Sequence, residues 1–213
     1  KESLAINKKL GQEGGIAMSL ACIGNVYDSW GQYDKAIEHY GEALDIARKL
    51  GQEDGVATCL NNIGLVYSRW GQYDKAIKNF KEALAIAEKL GLEVSGVATF
   101  LNNIGYVYDS RGQYDEAIKY YKESLAIGKK LGEESGIALC LNNIGGVYDS
   151  RGQYDEAIKY YKESLAIDKK LGQESDIAED LNNIGLVYSS RGQYDKAIKY
   201  YEEALEIDKK LGQ

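Results

Sequence analysis

Apolar residues recur along this chain at helical spacing. In one stretch they fall at Ile137, Leu141, Ile144, Val147 and Tyr148, one face of a helix, here termed helix A. Ser135, just ahead of it, is read as its N-cap. Arg151-Gly152-Gln153 interrupts the pattern with a glycine. A second helical face then runs through Tyr154, Ala157, Ile158, Tyr161, Leu165, Ile167 and Leu171, and this is helix B. Asp155 and Glu156 sit in its first turn and Lys169 and Lys170 in its last, both favourable to the helix dipole. Gly172 is a natural stop. No stretch alternates with the period of a strand and the chain has no proline, so an all-α fold is expected.

This helical hairpin repeats. Gly24, Gly64, Gly105, Gly145 and Gly185 mark its register at steps of 40 residues, with a single step of 41. A period between about 20 and 50 residues indicates a stack of small units rather than one globular core. The expected organisation is a single array over 1–213. A half repeat at 1–12, helix B only, precedes five full hairpins at 13–52, 53–92, 93–133, 134–173 and 174–213. The A helices are expected to begin near Ile16, Val56, Val97, Ile137 and Ile177. The extra residue of the long step lies in Leu92-Glu93-Val94-Ser95, where a loop absorbs it at little cost. Lys1 rather than Met opens the chain and both ends fall at unit boundaries, so the sequence reads as a piece of a longer array.

Composition removes several classes of function. The net charge of −7, with acidic and basic residues interleaved, argues against nucleic acid as a partner. No apolar run approaches the ~20 residues of a membrane span. Three cysteines are an odd number for a disulfide framework; they are expected to be buried or half-buried thiols in a reducing, cytoplasmic setting. One histidine leaves no catalytic triad, and no phosphate-binding loop, dinucleotide fingerprint or HExxH motif is present. His39 has no partner in metal-ligand spacing. No enzyme, cofactor or metal site is therefore expected.

Set Leu141 as position 4 of its hairpin. Ile144, Gly145, Tyr148, Gly152, Tyr154, Ala157, Tyr161 and Ser164 then occupy positions 7, 8, 11, 15, 17, 20, 24 and 27. This pattern resembles the tetratricopeptide repeat, and five copies of it cover essentially the whole chain. The family's period is about 34 residues with a proline closing helix B; here the period is 40 and Lys169 stands at the proline position, so helix B is expected to run one to two turns longer. Longer repeats of this kind are similar to those of kinesin light chains and spindle-orientation scaffolds, which are peptide-binding arrays. The resemblance implies a right-handed superhelical solenoid whose small residues, Gly145 and Ala157 among them, let helices approach. Every tyrosine except Tyr106 stands at a repeated position and is read as packing.

The resemblance also places the concave groove on positions 2, 6, 9 and 13 of helix A, with 5 and 12 beside them. Position 6 is Asn62, Asn103, Asn143 and Asn183, and position 5 is Asn61, Asn102, Asn142 and Asn182. Asparagine is a mediocre helix residue, so four doublets inside helices need a reason. An amide both donates and accepts, so a row of them can clamp the backbone of an extended peptide. Position 6 is read as ligand contact; position 5 either joins it or bonds a neighbouring helix. Positions 2 and 9 vary between hairpins, which suits side-chain selection, and Leu65, Tyr106 and Leu186 are candidate contacts there. Asp109 and Asp149, with Asp28 and Glu179, favour a ligand carrying Lys or Arg, with Arg69 the main positive exception. The family's carboxylate clamp needs basic residues at positions 5 and 9, which are absent, so chaperone-tail binding is rejected. Trp30 and Trp70, at position 14, are read as core or rim packing.

The expected function is thus a noncatalytic scaffold that binds a protein or peptide segment in an asparagine-lined groove. The alternative is a structural or regulatory segment of a larger signalling protein, docking intramolecularly or self-assembling end to end through the apolar face of its last helix.

Overall fold

The computed structural model describes residues 12–91 and 94–212, the side chains of 94 and 95 excepted. The half repeat at 1–12, apart from Gln12, and most of the extra-residue segment at 92–95 lie outside the described residues. All regular elements among the described residues are helices. They are α1 (Glu13–Ser29), α2 (Tyr33–Lys49), α3 (Glu53–Arg69), α4 (Tyr73–Leu90), α5 (Val94–Ser110), α6 (Tyr114–Leu131), α7 (Glu134–Ser150), α8 (Tyr154–Leu171), α9 (Glu174–Ser190) and α10 (Tyr194–Leu211). Odd-numbered helices are the A helices and even-numbered ones the B helices.

The A helices start about one turn before the first apolar residue of their pattern. Except in α5, which opens on Val94, their opening turns are acidic, as with Glu53 and Asp54 in α3 or Glu174 and Asp176 in α9. Such a turn gains from the helix dipole but buries little, so apolar periodicity does not reveal it. Ser135 is correspondingly not a cap. Glu133 holds that position and Ser135 lies within α7. Helix B ends as expected: Gly172 adopts φ 69°, the left-handed conformation open to glycine at a helix C-terminus. Gly152, at φ 70°, makes the turn inside the hairpin in the same way.

The chain divides into two compact units, up to Val107 and from Tyr108 on. In the first, α1 packs on α2, α2 on α3 and α3 on α4. In the second, α6 to α10 pack in the same sequential manner, and α7 also touches α9. Within a hairpin the A and B helices meet around a glycine covered by an aromatic ring, as at Gly24, Gly64, Gly145 and Gly185. A Cβ on Gly64 would lie 2.6 Å from Cε1 of Phe80, and one on Gly145 would lie 2.9 Å from Cδ1 of Tyr161. Both rings are buried, as are Ala76, Ala83 and Ala157 beside them. The repeated glycine therefore seats a ring from the partner helix.

Two expectations change. Cys59 and Cys140 are buried, but Cys22 is exposed; all three are free thiols. Leu171 is 39 % exposed, because it caps the last turn of α8 beyond its packing face. Position 14 is rim rather than core. Trp70 tilts against Tyr33 of the preceding hairpin at 5.9 Å and stacks with Tyr67 at 6.5 Å, while Trp30 is 67 % exposed and meets the edge of Tyr27. In the second unit the same position makes ion pairs to the preceding B helix, Arg151 with Asp115 at 2.7 Å and Arg191 with Asp155.

Candidate functional site

The asparagine doublets lie mid-way along A helices α3, α5, α7 and α9. In the first unit Asn103 Nδ2 donates to Asn61 Oδ1 at 2.8 Å. In the second unit Asn183 Nδ2 donates to Asn142 Oδ1 at 3.3 Å. A position-6 amide thus reaches back to the position-5 amide of the A helix before it. Of the two roles open to position 5, the bond to a neighbouring helix is present at Asn61 and Asn142. Asn142 also donates to Asp180 Oδ1 at 2.8 Å.

These bonds hold the position-6 amides in register without exhausting them. Asn103 and Asn183 each keep a carbonyl oxygen and a second N–H. Asn62 is half-buried and has no hydrogen bond among the described residues. Asn143 is half-buried as well, and Asn182 is exposed. The positions flanking the rows are open. Position 2 is exposed throughout, at Met18, Thr58, Thr99, Leu139 and Glu179. Of the position-9 residues Tyr106 is 55 % and Leu186 53 % exposed, and Leu65 is half-buried. Asn25, at position 9 of the first hairpin, accepts a hydrogen bond from the Tyr40 hydroxyl.

The two units differ in charge. In the first, Arg69 pairs with Asp28, so the one basic residue of this face is neutralised by an acid of the preceding hairpin. In the second, Asp109 and Asp149 are half-buried and burial pushes both carboxyls up from their usual range. No lysine or arginine pairs with either among the described residues. The buried Tyr161 hydroxyl is pushed up by burial first, and then by the negative field of Asp149, Asp180, Asp109 and Glu179.

Two acids escaped the reading of the sequence. Asp168 and Asp180 are only 3 % and 0 % exposed. Burial, then hydrogen bonding and repulsion between them, raises Asp180 to about 8, and burial raises Asp168 as well. The signal was present in the variation between hairpins. The row that ends in Asp180 otherwise reads Ser19, Cys59, Phe100 and Cys140, and the row containing Asp168 also holds Asn7, Ala47, Ala87, Gly128 and Asp208. Comparing packing positions, and not only groove positions, exposes the exception.

Tetratricopeptide repeat family models match residues 2–89 and 96–170, with further matches at 61–130 and 178–211. No curated protein matches the chain by sequence. Among solved structures the chain is similar to BtubC (BKLC) from P. vanneervenii, at 28 % identity and a TM-score of 0.86, covering 99 % of this chain and 89 % of that one. It is also similar to a putative kinesin light chain with nearly identical TPR-like repeats from Podosopora anserina, at 21 % identity and a TM-score of 0.74, covering 92 % and 95 %. A third similar structure is a Rap protein complexed with competence and sporulation factor, at 22 % identity and a TM-score of 0.77, covering 92 % of this chain and 54 % of that one.

Proposed function

Because the chain belongs to the tetratricopeptide repeat family, a family of noncatalytic protein–protein interaction scaffolds, we propose that it binds an extended peptide segment along the asparagine rows of its A helices. The observation that carries this reading is the state of the position-6 amides. Asn103 and Asn183 are each held by one bond to the preceding A helix, Asn62 makes none among the described residues, and all three are half-buried with donors and acceptors unspent there. An extended backbone offers the complementary N–H and C=O groups at regular intervals. The exposed, variable residues beside the rows, Leu139, Glu179, Tyr106 and Leu186, supply the selection of side chains. The Rap protein solved with competence and sporulation factor supports the reading as a fold neighbour that carries a bound factor. A reducing, cytoplasmic setting is part of the same proposal and suits three free thiols.

Selection from a random peptide library tests this, run on the parent and on a variant with Asn62, Asn103, Asn143 and Asn183 changed to Ala. Enriched peptides that lose at least tenfold in affinity on the folded variant support the clamp. Equal binding by the variant, or no enrichment on the parent, removes it.

A second reading has its own observation. On α10, Tyr194, Ile198 and Leu205 are 64 %, 52 % and 49 % exposed, whereas their counterparts Ile158 and Leu165 on α8 are both 8 % exposed under α9. End-to-end self-association through this face would appear as concentration-dependent mass in light scattering, abolished by Ile198→Glu.

A further inference from the structure

The junction of α7, α8 and α9 departs from the chemistry of the rest of the array. Where it places Asp168 and Asp180, the same two positions hold Asn7 with Ser19, Ala47 with Cys59, Ala87 with Phe100, and Gly128 with Cys140 elsewhere, so only here are both of them acids. Taking two carboxyl groups out of water is costly, and apolar residues are the ordinary solution at such a position. A local departure of this kind at a cleft marks a functional site more often than a packing one.

A cleft of about 220 Å³ opens there. Asp168 and Ser164 of α8 lie at its buried end, Leu139 and Asn142 of α7 form one wall, and Asp176 and Glu179 of α9 form the other. No basic side chain lines it. Asp180 sits behind, wholly buried; its Oδ1 accepts from Asn142, and no hydrogen-bond donor reaches its Oδ2. Ser164 Oγ lies 3.4 Å from Asp168 Oδ2 and is already engaged with the Ala138 carbonyl at 2.9 Å. The floor of the cleft is therefore rich in acceptors and poor in donors.

We propose that this cleft is a subsite for the cationic side chain, lysine or arginine, of a bound peptide, with Asp168 as its buried anionic partner and Asp176 and Glu179 at its mouth. The proposal rests on the peptide reading above and deepens it. Leu139, 53 % exposed, offers an apolar wall for the aliphatic stem of such a side chain, while the charged head reaches the acid. Asn142 belongs at once to the cleft and to the amide row, so a peptide held by that row would pass beside the opening. The charged groups that act on the acid pair are themselves acidic: Asp176 on Asp168, and Glu179 on Asp180, both from α9. Asp180, raised to about 8, holds its proton at neutral pH, and an entering cation favours the ionised form of the carboxyls it meets. Among the described residues no group of ligands is arranged to hold a metal ion, which points to an organic cation.

The test uses n-butylammonium, the side chain of lysine without its backbone, so that it does not depend on the peptide reading. It is titrated into ¹⁵N-labelled protein at constant ionic strength, beside a variant in which Asp168→Gly and Asp180→Cys install the pair carried one hairpin earlier. Saturable shifts at Leu139, Asn142 and Glu179 in the parent, weakened at least tenfold in the folded variant, are expected. Equal or non-saturating shifts in both proteins overturn the subsite. Peptide selection on the same variant separates the two proposals. Retained binding with a lost preference for Lys or Arg at one register supports the subsite; retained binding with the preference unchanged overturns it and leaves the clamp standing.

Discussion

Replacing Gly64 by alanine tests how the hairpins are held together. The new Cβ would sit 2.6, 2.8 and 3.0 Å from Cε1, Cδ1 and Cζ of Phe80, where relaxed carbon contacts need about 3.5–4.0 Å. The ring cannot withdraw easily, since Phe80 is 0 % exposed and backed by Ala76 and Ala83, which are also 0 % exposed. Overpacking of this size costs about 1–3 kcal/mol. Alanine regains about 1 kcal/mol over glycine inside a helix. The net expectation is a loss of up to about 2 kcal/mol, or a few degrees in Tm for a chain of this size. Gly41→Ala is the matched control. It lies inside α2, and a Cβ there meets nothing within 4 Å, so only the helix gain of about 1 kcal/mol remains. One substitution thus has two signs at two positions. Urea denaturation followed by far-ultraviolet circular dichroism reads both, and Phe80→Leu combined with Gly64→Ala should recover part of the loss. A Gly64→Ala protein that gains as much stability as Gly41→Ala, or a Gly41→Ala protein that loses stability, would refute the glycine–ring account.

Three further outcomes are expected. Trp70→Ala removes an aromatic bridge to Tyr33 and should cost about 1–2 kcal/mol, whereas Arg151→Ala breaks a mainly exposed ion pair and should cost less than about 1 kcal/mol, both read from thermal melts. Asp180 has a raised folded-state pKa, so the folded chain binds more protons than the unfolded chain between about 4 and about 8. Its contribution is therefore fullest at the acid end of that window and is lost as pH rises through it. The Tm of the parent should accordingly fall between pH 5 and pH 8 relative to the Asp168→Gly, Asp180→Cys variant, and parallel curves would contradict a buried, protonated Asp180.

The fold was legible because the glycine, alanine and aromatic positions recur at a fixed period, and such positions have little freedom in a stack. Where packing did not constrain the chain, the signal weakened. The first turn of α7 is acidic and not apolar, so Glu134 begins the helix without an apolar mark and Ser135 falls inside it. Cys22 shares its row with Asn62, not with the buried Cys59, and is exposed accordingly. The asparagine rows were visible as rows, but the link from Asn103 to Asn61 spans 42 residues and depends on how successive hairpins are offset. The acid pair was hidden for a different reason. Asp180 looks like one more surface charge until its helix position is set beside Cys59 and Cys140.

The central claim is that the asparagine rows grip the backbone of a bound segment. Titration calorimetry on one selected peptide, beside the same peptide N-methylated at alternate residues, tests it most directly. The side chains are then unchanged while the backbone donors are removed. The account predicts at least a tenfold weaker Kd for the methylated peptide, with the difference shrinking in the four-asparagine variant. Equal affinity for the two peptides would contradict it.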